Sequence, residues 1–117
     1  MHLMAKILII EPHAEVRELL ARIVARLGHQ AILYSGVSED TAAGADVVLV
    51  EPADVDGLDA ARVARASGAS VVCVSIFPAA DDARGLDPVA YLLKPFSLLD
   101  LERAVEVALE SRQPILG

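Results

Sequence analysis

A chain of 117 residues is long enough for one domain with one real core and too short for two. Hydrophobic residues make up 55% of it, yet only two Phe, two Tyr and no Trp are present, so the core has to be built from Val, Ile, Leu and Ala. A formal net charge of −7 argues against a nucleic-acid surface, because phosphate contacts need clustered Lys and Arg.

The first predicted element is a strand over about 5–10 (AKILII), an apolar run of the kind buried on both faces, which ends in Glu11 and Pro12. Val16, Leu19, Leu20, Ile23, Val24 and Leu27 then recur at three- and four-residue spacing and predict an amphipathic helix, with Gly28 as its stop. A second strand is expected at 31–34 (AILY), followed by barely two helical turns in SEDTAAG, 38–44. The third strand, 46–50 (DVVLV), repeats the cadence of the first and runs into Glu51 and Pro52. LDAARVARAS, 58–67, offers about three helical turns. A fourth strand at 71–75 (VVCVS) ends on Ser75, AADDARG at 79–85 offers about two turns, and a fifth strand at 89–93 (VAYLL) leads into Lys94 and Pro95. Ser97 can cap the last helix, whose stripe is Leu98, Leu101, Val105 and Leu109. The tail SRQPILG reads as loosely held, leaving an ordered core of about 5–110 within a single domain over 1–117.

Cys73 lies in the fourth apolar run with no second cysteine to join, which fits a reduced, cytoplasmic setting. No stretch approaches the roughly 20 apolar residues needed to cross a bilayer. The apolar run at the N-terminus is brief and broken by Lys6, unlike a signal peptide.

Strands alternating with helices predict parallel strands joined by right-handed crossovers, with helices on both faces. The fold class is therefore α/β: a five-stranded parallel sheet, doubly wound and flavodoxin-like, with strand order 2-1-3-4-5. Its switch point lies between the first and third strands, and sites form in the crevice outside their carboxyl ends. Glu11 and Glu51 end those two strands and so face each other across that crevice. Ser75, Lys94 and Tyr91 converge on the same edge.

Each of these residues has a plainer reading beside the functional one. Pro12 and Pro52 stop strands by themselves, and the residue before a proline prefers extended geometry. Ser75 can satisfy its own backbone, and Tyr91 can be an amphipathic residue at the sheet edge. His13, near the crevice, reads as an exposed loop histidine, and Asp54, Asp56 and Asp59 as solvated loop and helix-start acids. No G-x-S-x-G turn, metal-ligand cluster or Gly-rich phosphate loop is present, so an enzyme is not indicated.

An acid after the first strand, an acid after the third, a hydroxyl after the fourth and Lys-Pro after the fifth together resemble the receiver domain of bacterial two-component response regulators. YLLKPF followed by a capped helix is the most specific part, and ILIIE…VRELL, with Arg17, adds to it. The resemblance spans residues 5 to about 110. It implies a signalling module in which an Asp after the third strand accepts a phosphoryl group. Paired acids after the first strand would hold Mg²⁺, and the hydroxyl and Lys would stabilise the phosphoryl oxygens. It also implies a cis Lys94–Pro95 bond and a switch role for Tyr91.

The sequence departs from that pattern where the chemistry takes place. Glu51 stands at the phosphoacceptor position, and Pro12 replaces the second metal-binding acid. Asp56 and Gly57 follow Glu51 by two residues fewer than in the family, in the loop that nominally offers the Ala53 carbonyl to the metal. The resulting expectation is an atypical, phosphorylation-independent pseudo-receiver with no required cofactor and at most weak Mg²⁺ binding. In it Lys94 pairs with Glu51 and Ser75 adds a hydrogen bond. Expected partners are a signalling protein or sensor kinase, met through the face of the fourth helix, fifth strand and last helix (about 79–110), or a second copy in a homodimer. Neither nucleic acid nor membrane is expected. The alternative is a working phosphoacceptor, modified by a histidine kinase on Glu51 or Asp54.

Overall fold

The structure is a computed structural model in which residues 4–34, 44–77 and 85–111 are described. Five strands run β1 (Lys6–Ile10), β2 (Gln30–Leu33), β3 (Val47–Val50), β4 (Ser70–Ser75) and β5 (Ala90–Leu93). Each lies within one residue of its expected span, because aliphatic runs bounded by polar or turn residues leave little freedom in where a buried strand begins and ends. All four pairings are parallel and the order is β2-β1-β3-β4-β5.

Three helices are described: α1 (Ala14–Arg26), α2 (Val55–Ala66) and α3 (Leu98–Ser111). Helix α1 ends as expected at Gly28, whose φ of 92° lies in the left-handed region, and the His29 N–H closes the end on the Val24 carbonyl at 3.2 Å. Ser97 caps α3 reciprocally: the Asp100 N–H donates to Ser97 Oγ at 3.0 Å and the Ser97 N–H to Asp100 Oδ2 at 3.4 Å. The helix expected at 58–67 instead starts at Val55. Its first turn is invisible to apolar periodicity because Val55 is exposed while Gly57, without a side chain, is buried. Apart from Gly44 and Gly85, the short helices expected at 38–44 and 79–85 fall outside the described residues.

Alternation along the strands divides the core in two. Ile7, Ile9, Val47, Leu49, Val72 and Val74 pack with Leu20, Ile23 and Val24 of α1 and with Leu101, Ala104, Val105 and Ala108 of α3. Leu8, Ile10, Val48, Val50, Val71 and Cys73 pack on the opposite face with Leu58, Ala61 and Ala64 of α2 and with Leu86. Helices therefore cover both faces of the sheet. The core is aliphatic, as the composition requires; Tyr34, Tyr91 and Phe96 are only partly buried at its margins.

Small residues bring α2 close to the sheet, and Gly57 is the tightest point. A Cβ on Gly57 would overlap Ile10 Cγ2, a branched and fully buried group with no room to retreat. We expect Gly57→Ala to lower stability in a thermal melt, even though Ala is favoured over Gly in helices by about 1 kcal/mol, because overpacking a tight core costs about 1–3 kcal/mol. A melting temperature at or above the wild type would show that α2 can move out to make room.

Candidate functional site

The parallel register decides what meets at the C-terminal edge of the sheet. Ile10 pairs with Val50, and the Glu51 N–H donates to the Ile10 carbonyl at 3.0 Å, so Glu11 and Glu51 leave adjacent strands side by side. Ser75 closes β4, and the Lys94 N–H donates to the Ser75 carbonyl at 2.8 Å, bringing the residue after β5 to the same edge. Four side chains from four strands thus share one site, and Pro12 and Pro52 end the two strands that carry the acids.

Both carboxylates are buried, Glu11 with 5% and Glu51 with 6% of its surface exposed. Ser75 Oγ donates to Glu51 Oε1 at 3.0 Å and accepts from the Phe77 N–H at 3.1 Å. Lys94 Nζ forms an ion pair with Glu11 Oε1. This corrects the expectation that Lys94 pairs with Glu51. Glu51 already has a hydroxyl donor, whereas the Glu11 carboxylate has no other strong donor and its side chain is 2% exposed. The ammonium goes where charge is most costly to leave unmet. The remaining oxygens, Glu11 Oε2 and Glu51 Oε2, are buried without a hydrogen-bond partner among the described residues.

Burial pushes the Glu51 carboxyl above its usual range, and the Glu11 charge adds to this; the Ser75 hydrogen bond and the Lys94 and His13 charges pull the other way without overcoming it. Burial also raises the Cys73 thiol to about 12, with the Glu51 charge contributing, so this cysteine is a neutral core group and no nucleophile.

The other candidates scatter around this centre. His13 is 74% exposed and its Nδ1 lies 3.7 Å from Glu11 Oε2, too far for a hydrogen bond. Asp54 is half-buried at the start of α2 but makes no side-chain capping bond. Asp56 is exposed, and Asp59 pairs with Arg62 on the helix surface at 3.2 Å. Tyr91 is half-buried, and its hydroxyl donates to the Phe77 carbonyl at 2.9 Å, fastening the chain beyond β4 to β5. The Lys94–Pro95 bond is cis. Arg17 Nη1 donates to the Glu11 carbonyl at 3.0 Å and holds the turn between β1 and α1.

A cleft of about 580 Å³ opens over this edge. Glu51, Asp54 and Lys94 line it together with apolar walls that include Val16, Val55, Ile76 and Phe77. Val55, at the exposed start of α2, and Ile76, in the loop after β4, went unnoticed in the sequence because neither belongs to an apolar periodic run.

No family model matches the chain, and no curated protein does. Solved structures match it over nearly its whole length. A CheY-like response regulator receiver domain from Methylobacillus flagellatus superposes with a TM-score of 0.70 at 27% identity, covering 89% of this chain and 98% of that one. The chain has the fold of a response regulator receiver domain. A response regulator from Thermotoga maritima shares the fold, with a TM-score of 0.73 at 20% identity over 93% of this chain and 100% of that one. So does the receiver domain of a sensor histidine kinase from Pseudomonas aeruginosa, with a TM-score of 0.74 at 20% identity over the same shares, 93% and 100%. That protein is described with a magnesium ion in its active-site cleft. Among the described residues of this chain, no helix is long and apolar enough to cross a membrane.

The side chains here do not fit such an ion. Mg²⁺ demands near-ideal octahedral oxygen geometry. Pro12 has no side-chain oxygen to offer, Lys94 already neutralises Glu11, and no three acidic, His or Cys side chains of the described residues form a metal-binding group.

Two stability measurements follow. Lys94→Met leaves Glu11 buried without its counter-charge and is expected to cost about 3 kcal/mol in denaturant unfolding, and adding Glu11→Gln should recover much of it. A loss below about 0.5 kcal/mol would show the pair to be solvated and weak. For Glu51, a carboxyl raised by folding contributes stability that is fully present below its ordinary value of 4.5 and is lost as pH rises through the folded value. Glu51→Gln keeps the acceptor for Ser75 and removes the charge. It should raise stability at neutral pH by about 1 kcal/mol, with the gap to wild type closing as pH falls toward 4.5. A pH-independent gap would contradict this.

Proposed function

We propose that this receiver domain works without phosphorylation, as a protein-interaction module in a signalling pathway. One observation carries the reading: the groups that would receive a phosphoryl oxygen are engaged inside the protein. Ser75 Oγ bonds to Glu51, and Lys94 is paired with Glu11. Glu51 itself is longer than Asp by one methylene and carries negative charge into the volume a phosphoryl group would need. An incoming dianion would meet two carboxylates and no free ammonium.

Exposed apolar residues support a docking role. Val89, Leu93, Leu98 and Leu99 lie at β5 and at the start of α3, on the face where the sequence resemblance puts the partner. A signalling protein, a sensor kinase or a second copy would cover them, in the cytoplasm. The net charge of −7 supports a protein partner over nucleic acid.

Phosphotransfer stays as the second reading because Asp54, half-buried and without a capping bond, also lines the cleft. Intact-mass spectrometry after incubation with acetyl phosphate and Mg²⁺ separates the two. No phosphoryl adduct is expected on the wild type, nor on Glu51→Asp, in which Pro12 and the Lys94–Glu11 pair persist. An adduct on the wild type, mapped to Glu51 or Asp54, would overturn the proposal.

A further inference from the structure

The cleft combines two features that belong together in a ligand site. Its floor holds buried carboxylate with unused acceptor capacity: Glu51 Oε2 has no hydrogen-bond partner, nor has Oε2 of the neighbouring Glu11. Its rim holds apolar side chains left in water, with Val55 74%, Ile76 62% and Phe77 54% exposed. Buried polar atoms in folded proteins almost always find a partner, and apolar side chains gathered on one concavity lose water when something apolar fills it.

We propose that this cleft binds a small organic monocation that carries N–H donors on an apolar body. Charge sets the sign of the ligand. Glu11 and Glu51 against Lys94 leave one uncompensated negative charge at the floor, and Asp54 adds another at the wall. His13 also lines the cleft, with its side chain 74% exposed. An anion is repelled, which is the sense in which this inference rests on the reading that phosphate is not the ligand here. A divalent ion finds too few oxygens and gains nothing from the apolar walls. An ammonium or amidinium N–H supplies the charge-assisted bond that the Glu51 Oε2 lacks, while a flat or branched hydrocarbon body covers Val55, Ile76 and Phe77. The volume of about 580 Å³ suits a molecule of that size.

Benzamidinium is a suitable probe, with benzamide as its neutral isostere and MgCl2 as the inorganic control, all at neutral pH and matched ionic strength. Titrated into the full chain labelled with ¹⁵N, benzamidinium should shift the amide signals of Glu51, Val55, Ile76 and Phe77 saturably. Benzamide should bind at least about ten-fold more weakly, and Glu51→Gln, checked for folding by thermal melt, should weaken benzamidinium by a similar factor. Equal binding of benzamide, an unaffected Glu51→Gln, or no saturable shift at these residues would overturn the proposal. So would Mg²⁺ producing the same shifts and displacing benzamidinium, which would make the cleft a metal site. A phosphoryl adduct alongside intact benzamidinium binding would sink the phosphorylation-independent reading alone; absence of both would sink this inference alone.

Discussion

Charge held out of water at the edge of an otherwise aliphatic sheet is the constraint on which this domain is organised. A parallel sheet covered on both faces offers its C-terminal edge as a place where polar side chains can gather, since the strand ends there point out of the hydrocarbon. Two glutamates leave adjacent strands at that edge and are almost completely enclosed, with one lysine close enough to answer them. The lysine is paired with the acid that has no hydroxyl. Glu51 is left with a single hydroxyl bond and a raised proton affinity. The electrostatics of the cleft follow from that division.

On the proposed reading, the same division sets this domain apart from the phosphoryl chemistry that the resemblance to receiver domains implies. Transfer to a carboxylate needs a hard cation to screen the incoming group and a free ammonium and hydroxyl to hold it. Here the ammonium and hydroxyl are tied to the glutamates, and a proline occupies the place of a metal-binding acid. The proposed ligand of the cleft is accordingly a cation and not an anion. Its apolar rim is continuous with loops that end β3 and β4, so whatever binds there also touches the chain leading to Phe77, whose carbonyl Tyr91 holds.

Most of the framework was legible in the residues. Five aliphatic runs, each ended by a polar or turn-forming residue, allowed strand boundaries within one position, and the cadence of Ile10–Glu11–Pro12 and Val50–Glu51–Pro52 put both acids at the switch point. The end of α1 at Gly28 and the Ser97 cap of α3 were readable because each is a local event governed by nearest neighbours in sequence. The first turn of α2 was not. It leaves Val55 exposed and buries Gly57 against Ile10, a contact between residues far apart along the chain, so it carries no apolar periodicity. The Lys94–Glu11 pairing was missed for a similar reason: Glu11 and Glu51 are equivalent in sequence terms, and only their relative burial and the reach of Ser75 distinguish them.

Sequence alone determined the composition of the core, the alternation of strands and helices, the order of the sheet and the set of side chains at its edge. The first two rest on hydrophobic periodicity and on the stereochemistry of proline and glycine, which act over a few residues, and the last two on the usual topology of doubly wound α/β sheets. Tertiary structure decided which acid the lysine neutralises, which carboxylate oxygens stay unpartnered, and which loop residues become walls of a cleft. Those outcomes depend on desolvation and on distances between groups brought together from separate strands, and neither quantity exists until the chain has folded.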